Sequence, residues 1–151
     1  MKTFLILHNI RSEHNVGSIF RTADAAGVSK VYLTGYTPAP VDRFGRKVGA
    51  ITKVALGAEE SVSWEKKEST PELIQELTQE GIEIVSVEQD KRSINYKKYT
   101  QKKDAVFILG DEVKGVPAEL LDASDSIIEV PMKGNKESLN VSVVEIGRAH
   151  V

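Results

Sequence analysis

Cysteine is absent from the chain, which excludes a disulfide framework, a cysteine-ligated zinc and a thiol nucleophile. Histidine is scarce. His8, His14 and His150 are the three present, and their spacing fits no metal-ligand pattern, so no metal is expected. No stretch approaches the roughly 18 consecutive apolar residues of a membrane span, and no signal-peptide pattern opens the sequence. The expectation is a soluble, cytoplasmic protein with no membrane partner. An excess of one charge sign is missing too: 20 Lys+Arg stand against 22 Asp+Glu, a formal net charge of −2. That balance excludes a wholly basic nucleic-acid coat protein but leaves room for a local basic face. Two nucleotide motifs are also lacking. No Gly-x-Gly-x-x-Gly occurs, and Gly110 and Gly115 have only the glycine spacing of a P-loop. Val116 and Pro117 stand where that motif needs Lys and Ser/Thr. Ser138 has no histidine near it in sequence, which argues against a serine hydrolase.

What is present has the size and composition of one globular domain: 151 residues, 40% apolar and 28% charged. Apolar, β-prone runs predict strands at 3–7, 30–34, 82–87, 104–109 and 126–130, the fourth of them central. Between them lie helical patterns. One runs from Asn15 as cap through Val16, Ile19, Phe20 and Ala23 to Gly27. Another starts at Thr70-Pro71-Glu72 and ends at Gly81, and a short one covers 117–121. Residues 35–57 read as a long loop with one helical turn near Ile51–Val54, and 91–103 as a polar, basic stretch. The alternation predicts an α/β fold: a mostly parallel sheet with helices on both faces.

Three segments carry chemistry. In the first, Asn15 caps a helix, Gly17 lets a backbone or a phosphate approach, and Arg21 adds a guanidinium. Taken alone, Asn15 is a plain cap and Arg21 a solvated charge; together they suit an anionic backbone. In the second, the hydrophobic strand ending at Leu109 leads into Gly110-Asp111-Glu112-Val113-Lys114-Gly115. Ligands of open α/β sheets sit beyond strand carboxyl ends, although an ordinary turn with Pro117 at the first helical position explains the segment equally well. In the third, Val130-Pro131-Met132 is followed by a polar loop and then Ser138-Leu139-Asn140-Val141-Ser142. Ser138 or Asn140 is a helix cap on the plainer view, and capping is compatible with ligand binding.

In this order the three segments resemble the SpoU/TrmH family of SPOUT RNA ribose methyltransferases. Asn15, Gly17 and Arg21 match its first motif, Gly110, Glu112 and Gly115 its second, and Val130-Pro131-Met132 with Ser138 to Ser142 its third. The resemblance implies a deep trefoil knot, S-adenosylmethionine as methyl donor, a homodimer, and methylation of a ribose 2′-hydroxyl in tRNA or rRNA. It implies a cofactor pocket made by Val87, Leu109, Gly110, Val130, Met132, Ser138 and Leu139. It also implies Asn15, Arg21, Glu112, Ser138 and Asn140 as the catalytic set. A guanidinium stays protonated throughout the physiological range and is a poor free base. Arg21 is therefore expected to clamp the phosphate beside the target and to stabilise charge on the ribose oxygen. In the family this arginine can face the partner protomer's cofactor.

RNA contact is expected from the catalytic domain itself, through Arg11, Arg43, Arg46, Lys47 and Lys53, with weaker candidates in Arg92, Lys97 and Lys98; each is also readable as solvated surface. The family continues after Val143 into a long amphipathic helix at the knot and the dimer interface. Here residues 146–151 read like a translated sequencing adapter. The expected division is therefore a catalytic domain over 1–145 and a non-native tail over 146–151. Arg148 and His150 are given no function, and the threading of the knot is left open. Two alternatives stand beside this reading: a non-catalytic RNA-binding member of the same fold, and a flavodoxin-like nucleotide-binding domain.

Overall fold

The computed structural model describes residues 1–131 and 138–148, without the side chains of Ser138 and Arg148. Among the described residues seven strands form one all-parallel sheet: β1 (Thr3–His8), β2 (Lys30–Thr34), β3 (Ser63–Lys67), β4 (Glu83–Val87), β5 (Ile94–Asn95), β6 (Ala105–Leu109) and β7 (Ser126–Glu129). Their order is β3-β2-β1-β6-β4-β7-β5. β6 is the middle strand, as its unbroken apolar run predicts, and all five of its residues are buried. The order differs from the 2-1-3-4-5 of flavodoxin-like sheets, which sets that alternative aside.

The helices are α1 (Glu13–Ala26), α2 (Gly49–Ala55), α3 (Ala58–Ser61), α4 (Thr70–Gln79), α5 (Ala118–Asp122) and α6 (Ser138–Arg148). Alternate strand residues feed two cores. On one face Leu5, Leu7, Leu33, Phe107 and Leu109 meet Val16, Ile19 and Phe20 of α1, Ile51 of α2, and Val143 and Ile146 of α6. On the other, Ile6, Ile84, Val106 and Ile108 meet Leu73, Ile74 and Leu77 of α4 and Leu120 and Leu121 of α5. This is the α/β architecture with helices on both faces that the alternation predicts. The path of residues 132–137, on which the expected knot turns, lies outside the described residues. α6 continues past Glu145, and Ile146 is buried against the core.

Several elements depart from the sequence pattern. Ser12, not Asn15, caps α1: its hydroxyl accepts the Asn15 N–H at 3.1 Å. The helix therefore starts earlier, and the Asn15 side chain is released for other work. Ser69, not Thr70, caps α4, and Pro117 sits at the cap of α5 instead of its first turn. β3 has no apolar alternation because it is an edge strand that pairs only with β2. Its Glu65 is held by Lys30 of β2 at 2.8 Å and by Lys67 at 2.9 Å, charges that also blunt an open edge. The helical turn expected near Ile51 grows into α2.

Gly17 explains why α2 forms where it does. It is buried on α1, and a Cβ there would lie 2.5 Å from the Ile51 carbonyl oxygen and 3.0 Å from the Val54 Cβ. The close approach is thus made by another backbone and not by a phosphate. Replacing Gly17 by Ala gains up to about 1 kcal/mol of helix propensity, but overpacking against a backbone atom costs roughly 1–3 kcal/mol. The expected result for Gly17→Ala is a net loss of stability, read in a thermal melt as a midpoint lowered by several degrees; an unchanged or higher midpoint would show that α2 moves aside freely.

Candidate active site

β1 and β6 are hydrogen-bonded neighbours, yet the helices that follow them leave on opposite faces, α1 on one and α5 on the other. The chain parts there, at strand carboxyl ends, which is where open α/β sheets bind ligands. A cavity of about 360 Å³ opens at the adjoining ends of β4, β6 and β7, against α6. Of the residues expected to hold a cofactor, Val87, Leu109, Gly110, Val130 and Leu139 line it. Met132 lies outside the described residues, and Ser138 opens α6 with its side chain outside them. Four acidic residues, Glu88, Asp111, Glu112 and Glu129, are among those lining it, with one lysine, Lys114, a balance that complements a cationic ligand.

The loop after β6 is built by its own backbone. Asp111 accepts the N–H groups of Val113 at 2.7 Å and Lys114 at 2.9 Å. Its carbonyl accepts the Gly115 N–H at 2.9 Å. These amides, that of Lys114 foremost, hold the Asp111 carboxyl below the ordinary aspartate range. A Cβ on Gly110 would lie 2.5 Å from the Gly115 carbonyl carbon and oxygen, so the close approach expected at Gly110 is that of the loop folding back on itself. Glu88, at the end of β4, ties the loop to the cavity wall: its carboxylate accepts the Val116 N–H at 2.7 Å.

Glu112, at the tip of that loop, joins the second segment to the first. Its carboxylate accepts from Asn15 Nδ2 at 3.2 Å and, at 3.4 Å each, from the backbone N–H groups of Arg11 and Ser12. A carboxylate here lies where the start of a helix favours negative charge. Behind it, the Tyr36 hydroxyl donates to Asp111 at 3.0 Å and accepts from the Arg11 guanidinium at 3.3 Å.

The third segment also reaches α1. Asn140 accepts from the Thr22 hydroxyl through Oδ1 and donates to Ser18 Oγ at 3.4 Å. A Cβ on Gly147 would meet the Ala26 Cβ at 2.6 Å. α6 therefore lies along the stripe Ser18, Thr22, Ala26 of α1, which begins at Asn15. Arg21 stands beside that stripe, exposed, and does not line the cavity. Asn15, Glu112 and Asn140 are thus drawn onto one helix, with Arg21 on its outer side.

The basic candidates divide. Arg46 is paired with Asp42 at 3.1 Å and Lys47 with Glu60 at 3.5 Å, while Arg11 belongs to the Tyr36–Asp111 network. Arg43 and Lys53 are exposed and have no carboxylate partner among the described residues. Arg92 is held by Asp90 at 3.0 Å and Asp122 at 2.7 Å. Lys97 and Lys98 lie exposed on a 3-10 turn (Tyr96–Lys98). Sequence reasoning missed Glu88, Tyr36 and Asp111. An acid directly after a predicted strand was the available signal for Glu88; Tyr36 and Asp111 meet only in the fold.

Comparison with known proteins gives these features a family. The profile of the SpoU rRNA Methylase family matches residues 2–145. A tRNA (guanosine(18)-2'-O)-methyltransferase of Aquifex aeolicus is 33% identical over 135 residues, 89% of this chain and 61% of the relative. The 23S rRNA (guanosine-2'-O-)-methyltransferase RlmB of Neisseria meningitidis is 33% identical over 139 residues, 92% of this chain and 53% of the relative. The chain thus spans a little over half the length of these curated relatives. Among solved structures, the AdoMet-bound rRNA methyltransferase from Sinorhizobium meliloti superposes with a TM-score of 0.83 at 25% identity, covering 99% of this chain and 57% of that one. The A. aeolicus TrmH/SpoU tRNA modifying enzyme superposes at 0.79 and 27% identity, covering 98% and 73%. On this match across nearly its whole length, with the three motif segments meeting on α1 and the second and third lining one cavity, the chain belongs to the SpoU methylase family.

Proposed function

We propose that this chain, as a cytoplasmic homodimer, methylates a ribose 2′-hydroxyl of a tRNA or rRNA nucleotide with S-adenosylmethionine as donor. The observation that carries this reading is the cavity itself. It is lined by residues of the second and third motifs and is tied through Glu112 to Asn15 of the first. Its volume falls in the range of small-molecule sites, roughly 300–1,000 Å³, and its carboxylates suit a donor with a positive centre. When bound, S-adenosylmethionine supplies an electrophilic methyl group on a sulfonium.

The chain's own residues do the rest. Val87, Leu109, Val130 and Leu139 form the apolar part of the cavity wall, with Gly110 in the loop beside them. Glu88 keeps the 110–116 loop closed against it. Glu112 fixes the Asn15 amide, and Ser18 and Thr22 fix Asn140, so both amides are held in place before a substrate arrives. Arg21 clamps the neighbouring phosphate and stabilises the negative charge that develops on the ribose oxygen as its proton passes to solvent water and the oxygen takes the methyl group. Six residues along a helix turn Arg21 about 120° away from Asn15. That outward placement fits an arginine that serves the cavity of a second copy, which makes the dimer part of the site. Arg11, Arg43, Arg46, Lys47 and Lys53 hold the RNA backbone.

Three outcomes test this. Arg21→Ala should lower methyl transfer from labelled cofactor to total RNA by roughly a hundred-fold or more, the loss typical of removing one charge-stabilising donor. Calorimetric binding of S-adenosylmethionine should hardly change, and full transfer by this variant removes Arg21 from the mechanism. Glu88→Ala should weaken S-adenosylmethionine binding by about ten-fold, the equivalent of one hydrogen bond to a charged group. No cofactor binding by the parent chain would favour the non-catalytic RNA-binding alternative. RNA affinity should fall with salt, and Arg43→Ala should reduce the slope of log affinity against log salt by about one; an unaltered slope takes Arg43 off the backbone path.

A further inference from the structure

The loop that leaves the carboxyl end of β2 starts at the site, where the Tyr36 hydroxyl meets Asp111, and then extends to an exposed tip. Val41 and Lys47 form an antiparallel bridge across its neck. Asp42 closes the turn between them. Its Oδ1 accepts the N–H groups of Phe44 and Arg46 at 2.9 Å each, its Oδ2 takes the Arg46 guanidinium at 3.1 Å, and its carbonyl accepts the Gly45 N–H at 3.0 Å. Gly45 supplies the left-handed residue, φ 79°. The amides of Arg46 and Phe44 also hold the Asp42 carboxyl below its ordinary range.

The hydrogen bonds that build this turn are made by backbone groups, the Asp42 carboxylate and one guanidinium. The Phe44 ring takes no part in them, and it is 66% exposed. The guanidinium carbons of Arg43 and Arg46 lie 4.9 and 5.0 Å from its centroid. A scattered surface apolar residue needs no explanation. An exposed aromatic ring with two guanidiniums over it, on a turn closed by its own hydrogen bonds, has the chemistry of a single-strand binding platform, in which base stacking on the ring or on a guanidinium plane is combined with phosphate attraction.

We propose that Phe44 is a stacking platform for an unpaired RNA base, with Arg43 and Arg46 holding the phosphates on either side of it. This rests on the RNA methyltransferase reading and specifies its substrate: a looped or single-stranded stretch, since a base inside a duplex is already stacked on both faces. An acidic peptide would use the two guanidiniums and leave the ring idle, so RNA is the partner that uses the whole tip.

The test uses the full chain and one short fluorescent RNA in three forms: single-stranded, annealed to its complement, and with abasic sites. Binding is read by anisotropy. Phe44→Ala and Phe44→Leu should each weaken binding of the single strand by roughly ten- to hundred-fold, the effect of losing one stacked base. Phe44→Trp should retain it, and the salt slope should be unchanged in all three. The abasic strand should bind the parent and Phe44→Ala alike. The exposed ring predicts equal thermal midpoints, which separates stacking from misfolding. A Phe44→Ala or Phe44→Leu variant that binds the single strand within about two-fold of the parent overturns the platform. If the parent still methylates RNA in that case, only the platform fails, and the tip is electrostatic or serves a protein. A parent that neither binds nor methylates RNA overturns the substrate reading and the platform together.

Discussion

One carboxylate holds the site together. Glu112, at the tip of the loop after the central strand, accepts from the side chain and backbone donors that begin α1. The loops joined are about a hundred residues apart in sequence and neighbours only because β1 and β6 pair. A helix start presents unsatisfied N–H groups and partial positive charge. Glu112 answers both, and in doing so fixes Asn15 in place. The Asn15 side chain is available because Ser12 has taken over the capping.

Around that link, small residues set distances that large ones could not. Gly17 lets α2 lie against α1, Gly110 lets its loop fold onto Gly115, and Gly147 lets α6 lie on Ala26. The same helix α1 is therefore held by α2 on one side and α6 on another, while its N-terminal turn carries Glu112. A rigid α1 matters for the proposed chemistry because charge stabilisation at a ribose oxygen depends on donors placed before the reaction begins. Arg21, in contrast, is exposed at the edge of this packing, which suits a group that meets a large, mobile substrate or a second copy.

Much of the fold was legible from β6, β1, β2 and α1, whose apolar patterns are strong because they are buried on one or two faces. β3 was not, since an edge strand carries Trp64, Glu65, Lys66 and Lys67 and owes its existence to pairing with β2 and not to its own composition. α2 reads in the sequence as a single turn because it docks closely against Gly17, a contact that no periodicity reveals. The motif residues were legible as candidates, and five of those assigned to a cofactor line one cavity. Glu88 was passed over because an acid after a strand looks like any solvated loop charge until the loop it restrains is seen.

The order of apolar runs, the absence of cysteine and long membrane-length segments, and the three spaced motifs determined the α/β class and the family resemblance from sequence alone, because burial periodicity and residue chemistry are local properties. Tertiary structure decided which backbone Gly17 admits, that Ser12 and not Asn15 caps α1, that Glu112 reaches Asn15, and that Arg21 is exposed and does not line the cavity. Those are distances between segments far apart in sequence. They depend on strand order and helix docking, which local pattern does not specify.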